Sequence, residues 1–299
     1  MAEEPFACTY RELAALGEAD MARGHRPDMA RRDAEALLLH LLQKESPERN
    51  RAWLLAHWDD PMDRTTFREF VRVASRRRSG QPVQYILGHA EFFGLPFYVE
   101  PEVLIPRPET EHLVEETLRL AARMKEAGEI EIRIADVGTG SGAIAVALAH
   151  SLSDAEIVAT DLSDKALALA QRNADRNNLA GRIEFLHGNL LEPLAGRRFS
   201  ILASNPPYIP WPDKSTLPVE VRDHEPHLAL FGGNDGLDIY RRLIPGAREV
   251  LIPKGWLVLE IGFGQQPAIQ EMLLANGYGE VHFIPDYQGI PRVAAGRNI

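Results

Sequence analysis

The sequence predicts an α/β protein: a doubly wound domain built on a parallel sheet, preceded by a small helical domain and joined to it by a β-hairpin linker. Three observations predict it. From residue 131 onward, short apolar runs alternate with segments of helical period, the signature of strands joined by crossover helices. The first of these runs ends in a cluster of glycines, as a tight strand-to-helix turn requires. Before about residue 85 the apolar residues recur instead at spacings of three and four, the period of a helix.

Composition narrows the class of function. A chain of 299 residues has room for two domains, and 45% hydrophobic residues give it a real core. Cys8 is the single cysteine, so no disulfide can form within the chain, and a reducing cytoplasm is the expected compartment. Met1-Ala2-Glu3-Glu4 is acidic with no apolar run behind it, so no secretory signal is expected, and no run is long enough for a membrane span. The formal net charge of −10 disfavours a general nucleic-acid binder, because neutralising phosphate dominates such affinity.

Residues 1–82 are expected to form the helical bundle. Arg32 to Leu42 carries a wide apolar face, Ser46-Pro47-Glu48 offers a capped helix start, and residues 64–78 place Phe67, Phe70, Val71 and Ala74 on one side. Arg76-Arg77-Arg78 then reads as a solvated last turn complementing the helix dipole, with a docking surface for a ribosomal-type partner as the other reading. Residues 83–110 form the linker: a two-residue rhythm over 83–105, a hairpin turning near Gly94 to Pro96, and an extended piece around Arg107 held by two prolines. Thr110 and Glu111 are expected to open a helix from His112 to Arg123. The third region, 111–299, should hold strands at 131–136, 156–161, 182–187, 199–204, 256–261 and 279–284, and helices at 142–150, 163–177, 236–251 and 265–276.

The glycine cluster is Gly138-Thr139-Gly140-Ser141-Gly142, directly after the strand that ends in Asp136-Val137. Strand, glycines, helix and a second strand ending in Asp161 about 20 residues on form a nucleoside-binding order, with the acid placed for ribose hydroxyls. The spacing G-x-G-x-G with Asp136 before it suits an adenosine bearing an ammonium and no phosphate. S-adenosylmethionine therefore fits better than NAD. Asn189 and Leu190, at the end of the third strand, can flank the adenine.

A second constellation follows the fourth strand. In Asn205-Pro206-Pro207-Tyr208 two prolines end the ladder and present the strand terminus rigidly. Asn205 Oδ1 and the Pro206 carbonyl can each accept one N–H of a planar –NH2 group, with Tyr208 packed on its flat face. No metal ligand set is visible. His187, Asp223, His224 and His227 are assigned no catalytic role, since orientation and two acceptors suffice.

Together these motifs resemble class I methyltransferases acting on a planar nitrogen, whose Rossmann-like fold matches the predicted alternation. Pro82 to Gly88, Ile105 to Glu111, Glu225 to Leu237 and Leu259 to Gly262 resemble more narrowly the release factor glutamine methyltransferases, the PrmC/HemK family. The resemblance implies methyl transfer from S-adenosylmethionine to the side-chain amide nitrogen of the glutamine in the Gly-Gly-Gln motif of class-1 peptide chain release factors. It places Gly138 to Gly142, Asp161, Asn189 and Leu190 at the cofactor and Asn205 to Tyr208 at the glutamine. Release factor recognition is expected on the helical domain. Two positions depart from the family: Asn189 stands in place of Asp, and Ser200 in place of an Asp, with loss of a local structural hydrogen bond expected there. N6-methylation of adenine in DNA or RNA is the alternative enzyme, and a non-catalytic docking adaptor the alternative of another class.

Overall fold

The computed structural model describes residues 8–129 and 131–299. Contacts divide the chain into two units, residues 1–88 with 217–224, and 89–216 with 225–299.

The first unit is helical. Helix α1 (Tyr10–Met21) opens on a capping box between Thr9 and Glu12, and α2 (Ala30–Glu45), α3 (Arg51–Ala56), α4 (Arg64–Arg78) and α5 (Val83–Leu87) follow. Leu13, Leu37, Leu38, Leu42 and Phe70 form its core, each 1% exposed or less. Gly17 is needed for close approach: a Cβ there would stand 2.4 Å from the Phe70 ring. Ser46 ends α2, and the next helix starts instead at Asn50, whose side chain caps Trp53 N at 3.1 Å. The arginine run is not a solvated turn throughout. Arg77 is buried and ion-paired with Asp33 at 2.6 Å and with Glu220 at 3.0 Å, because its position falls on the apolar face of α4. Glu220 also holds Arg26, at 2.6 Å.

The linker begins as helix: residues 83–87 form α5, closed by Gly88 at φ 75°, where the two-residue rhythm predicts strand. The hairpin itself is β1 (His89–Phe92) against β2 (Leu95–Tyr98), turning through Phe93 and Gly94. Arg107 is extended, but Pro108–Thr110 is already a 3-10 turn leading into α6 (Glu111–Glu126).

The second unit's large sheet is assembled from β3 (Arg133–Val137), α7 (Ala143–Ser151), β4 (Glu156–Asp161), α8 (Asp164–Arg176), β5 (Ile183–His187) and β6 (Phe199–Ser204). After the short helices α9 (Val219–Arg222), which belongs to the first unit, and α10 (His227–Leu230) come α11 (Asp238–Val250), β7 (Leu251–Glu260), α12 (Gln266–Ala275), β8 (Tyr278–Pro285) and β9 (Pro291–Asn298). The strand order is β5-β4-β3-β6-β7-β9-β8. The first five are parallel; β9 runs antiparallel to both β7 and β8, so the sheet is mixed. Sequence reading does not find β9, whose small residues carry no alternation and which is held by its two neighbours.

Parallel strands covered on both faces must be apolar on both, and all six residues of β6 are buried. Ile134 and Ile201 pack toward α6 and α7, and Ala135 and Leu202 toward α11 and α12. Strand order reverses between β3 and β6, so the loops at their C-terminal ends diverge to opposite faces and leave a crevice. Ser200 ties these two strands together lower down: its hydroxyl accepts from Arg133 N at 3.2 Å and donates to the Glu131 carbonyl at 3.3 Å. The hydrogen bonding expected to be lost at this position is thus present.

Candidate active site

The crevice holds a cavity of about 330 Å³. Of the residues singled out from sequence, Gly138, Thr139, Gly140, Ser141, Asp161, Asn189, Leu190, Asn205 and Pro207 line it. Gly142, Pro206 and Tyr208 do not line it.

On one side the wall is backbone. Gly138 and Thr139 donate to the Thr160 carbonyl, both at 2.9 Å, which pins the turn to β4. Gly138 and Gly140 take φ of 76° and 55°, with nothing within 4 Å of where a Cβ would stand. These left-handed positions suit glycine and leave a cradle open above the turn. Gly142 serves packing instead, since a Cβ there would lie 2.9 Å from that of Ala170 on α8. Each Asp161 oxygen accepts one backbone N–H, from Gly140 N at 2.8 Å and from Ser163 N at 2.9 Å, and keeps a second lone pair. Burial nonetheless raises its carboxyl above the ordinary range. Asn173 is a support that sequence reading misses: its amide donates to the Ser141 carbonyl at 2.8 Å and to the Tyr98 carbonyl at 3.0 Å.

Asp136 does not reach the cavity. It is fully buried, accepts from Thr139 Oγ1 at 2.6 Å and Ala145 N at 3.2 Å, and has its other oxygen without a hydrogen bond. Burial pushes its carboxyl up to about 7. An ammonium-binding role is thereby replaced by a brace inside the turn. At the end of β5, Asn189 donates weakly to Glu192 at 3.4 Å, and Leu190 is held at φ 52°. A left-handed leucine costs roughly 1 kcal/mol, strain of the kind found at functional sites.

The opposite wall is side chain. Asn205 Nδ2 donates to Thr110 Oγ1 at 3.2 Å; Thr110 in turn donates to Glu260 Oε2 at 2.6 Å. Tyr208, expected to pack on the flat face of the substrate amide, does not line the cavity; its hydroxyl donates to Glu260 Oε1 at 3.3 Å. Burial and the neighbouring Glu260 push the Tyr208 hydroxyl far up, and burial brings the Glu260 carboxyl to about 7. The backbone of the loop is clasped by the end of α10, by Gly232 just after it and by Gln265 before α12. Ile209 N donates to Leu230 O at 2.9 Å, Gly232 N to Ile209 O at 3.0 Å, and Gln265 Nε2 to Tyr208 O at 3.0 Å. A Cβ on Gly236 would stand 2.1 Å from the Tyr208 carbonyl, so only glycine fits there. Arg107 lines the cavity and is held by the buried carboxylate of Glu225. None of His187, Asp223, His224 and His227 lines it. Among the described residues no group of His, Cys, Asp or Glu is placed to hold a metal ion, and no helix is long and apolar enough to cross a membrane.

A doubly wound sheet with this turn and this strand end is the architecture of a class I methyltransferase. Residues 114–215 match the family model described as Methyltransferase small domain. The human Mettl16 catalytic domain shares the fold at a TM-score of 0.56 and 18% identity, over 70% of this chain and 76% of that one. A methyltransferase from Pyrococcus furiosus does so at 0.50 and 20%, over 69% and 90%. The relationship narrows with sequence. Residues 20–88 match the PrmC N-terminal domain. The release factor glutamine methyltransferase of Geobacter sulfurreducens is 41% identical over 99% of each chain. That of Moorella thermoacetica is 44% identical over 93% of this chain and 95% of its own. The chain belongs to the release factor glutamine methyltransferases.

Proposed function

We propose that this chain transfers the methyl group of S-adenosylmethionine to the side-chain amide nitrogen (N5) of the glutamine in the Gly-Gly-Gln motif of class-1 peptide chain release factors. The observation that carries the reading is similarity over 99% of the chain to a protein named for that reaction. A cavity lined by both the glycine turn and Asn205 supports it. N6-methylation of adenine is not favoured, since the likeness to Mettl16 at 18% identity speaks for fold alone.

In this reading Gly138 to Ser141 cradle the cofactor, with Gly142 closing the turn behind them. Asp161 accepts from the ribose hydroxyls, and Asn189 and Leu190 flank the adenine. The open space above Gly138 and Gly140 fits a ligand pressed against backbone. Bound there, S-adenosylmethionine supplies an electrophilic sulfonium methyl.

The chain's own part is to aim the nucleophile. An amide nitrogen is a poor one, because its lone pair is delocalised. Asn205 Oδ1 and the Pro206 carbonyl accept its two N–H groups, and Pro207 and Tyr208 fix the plane of the loop. Orientation then does most of the work, in one in-line displacement. As the nitrogen becomes cationic, the same acceptors hold it more strongly than the neutral amide, which lowers the barrier selectively. The surplus proton leaves to water. The helical domain, residues 1–82, is the proposed surface for the release factor, with no direct nucleic-acid contact.

The test is a transfer assay with labelled S-adenosylmethionine, offering a class-1 release factor, its Gly-Gly-Gln→Gly-Gly-Ala variant and duplex DNA. Label on the wild-type factor alone is expected. Label on DNA, or on both forms of the factor, overturns the reading.

A further inference from the structure

Two stretches characteristic of this chain, one containing Thr110 and one containing Glu260, converge on Asn205 although neither supplies the acceptors of the methyl-transfer reading. Asn205 Nδ2 donates to Thr110 Oγ1, and Thr110 donates its proton to Glu260. Among the described residues none donates to Asn205 Oδ1. We propose that Glu260, acting through Thr110, sets which way the Asn205 amide points, and so decides whether the site offers the substrate nitrogen an acceptor or a donor. This rests on the methyl-transfer reading above.

The two ends of an asparagine amide have nearly the same shape, so packing does not choose between them; hydrogen bonding does. An ionised Glu260 can only accept. Thr110 has one hydroxyl proton and gives it to Glu260 Oε2 at 2.6 Å. Toward Asn205 the same oxygen is then left with lone pairs alone, and it draws the NH2 end, as observed at 3.2 Å. Oδ1 is turned out as an acceptor for the glutamine N–H. A protonated Glu260 reverses every bond. It donates to Thr110, Thr110 donates to Oδ1, and the NH2 of Asn205 is left facing the NH2 of the substrate, donor against donor.

The surroundings keep both states within reach. Glu260 is 2% exposed. Tyr208 from the acceptor loop donates to its second carboxylate oxygen, and Tyr240 from α11 donates to its backbone carbonyl at 2.7 Å. Arg292 on β9 favours the ionised form, while Glu109 beside Thr110 opposes it. Burial dominates and brings the carboxyl to about 7. Glu260 is a positioning residue that does not line the cavity, and the part assigned to Thr110, which does line it, is to aim Asn205.

The experiment measures kcat for labelled methyl transfer to a class-1 release factor from about pH 5.5 to 9, which spans this ionisation. It compares the wild type with Glu260→Gln, Thr110→Val and Thr110→Ser, and titrates S-adenosylmethionine into each to report an intact fold. The wild-type kcat is expected to fall about tenfold per pH unit on the acid side of about 7, as for loss of one essential base form. Glu260→Gln should lower kcat and abolish that limb. Thr110→Val should lower kcat about tenfold, the size of one lost orienting hydrogen bond, with cofactor affinity kept. Thr110→Ser should restore it. An unchanged acid limb in Glu260→Gln, or wild-type kcat in Thr110→Val, overturns the proposal. Where Thr110→Val does not fold, Glu260→Gln and Thr110→Ser decide. Absence of transfer by the wild-type enzyme overturns the methyl-transfer reading itself and this proposal with it; transfer with an unaltered Glu260→Gln profile overturns this proposal alone.

Discussion

The glycine turn and the acceptor loop follow neighbouring strands, β3 and β6, yet they are made of different material. The turn is backbone: its φ angles, its two bonds to the Thr160 carbonyl and the grip of Asp161 on Gly140 all lie within one strand–turn–helix–strand unit. The acceptor loop is a convergence. Thr110, Gly236, and Glu260 with Gln265 reach Asn205 to Tyr208 from three separate parts of the chain. A wall of backbone suits a cofactor that only has to be held. A reacting nitrogen needs an acceptor of fixed direction, and that takes side chains braced from several sides.

The contrast can be broken where it is sharpest. Asn205→Ala should lower kcat by roughly 10²–10³-fold, as for loss of a preorganised polar group at the developing charge. Cofactor affinity, titrated separately, should stay within a few-fold; a parallel collapse would mean that the two walls are one. Gly140→Val should do the converse. A β-branched residue at φ 55° is strained, and its side chain would enter the cradle. The strain costs stability, while the side chain takes space that the cofactor needs and should weaken cofactor binding by roughly 10–100-fold, read by calorimetry, with kcat at saturation largely kept. Asp161→Asn replaces one of two accepting oxygens by a donor aimed at a backbone N–H. A loss of about tenfold in cofactor affinity is expected, and an unchanged value would detach Asp161 from the turn.

The smallest effect is on stability. Asp136 has its folded carboxyl raised to about 7, so folding favours its protonated form. That contribution is complete below the carboxyl's ordinary range and is lost as pH rises through about 7. Wild-type Tm should therefore decline from about pH 4 to 7, by on the order of 1–4 kcal/mol in stability at about 1.4 kcal/mol per pKa unit. Asp136→Asn should flatten part of the decline and leave the share of Glu260, which has the same sign. Tm curves that superimpose would place the proton elsewhere.

The same division governs what was legible in the sequence. The turn was readable because Val137, the glycines and Asp161 are close in the chain and each obeys a local rule. Asn205 to Tyr208 stood out because two prolines announce a strand end. Its supports did not, since Thr110 and Asn205 are 95 residues apart and Thr110 and Glu260 are 150 apart. Nothing local tells an exposed threonine from one that aims an amide. Strand β9 was hidden for the same reason, being decided by neighbours distant in the chain; Arg77 lies on the apolar face of α4, and what was hidden is the pair of carboxylates, Asp33 and Glu220, that lets it stay there. Asp136 misled in the other direction: its sequence position suggested a ligand contact, and the fold turned it inward.

The return of residues 217–224 to the helical unit sets an order of events during synthesis. A ribosome delivers the five leading helices early, and N-terminal domains commonly fold as they emerge. Here Arg77 has Asp33 for company but must wait for Glu220, and Arg26, beside Asp28 from the outset, waits for the same residue. Between those moments some 130 residues of nascent chain pass, roughly 7–26 seconds at 5–20 residues per second. For that interval Arg77 keeps only its Asp33 ion pair, and the last charge contacts of the first unit close after residues 217–224 have been made.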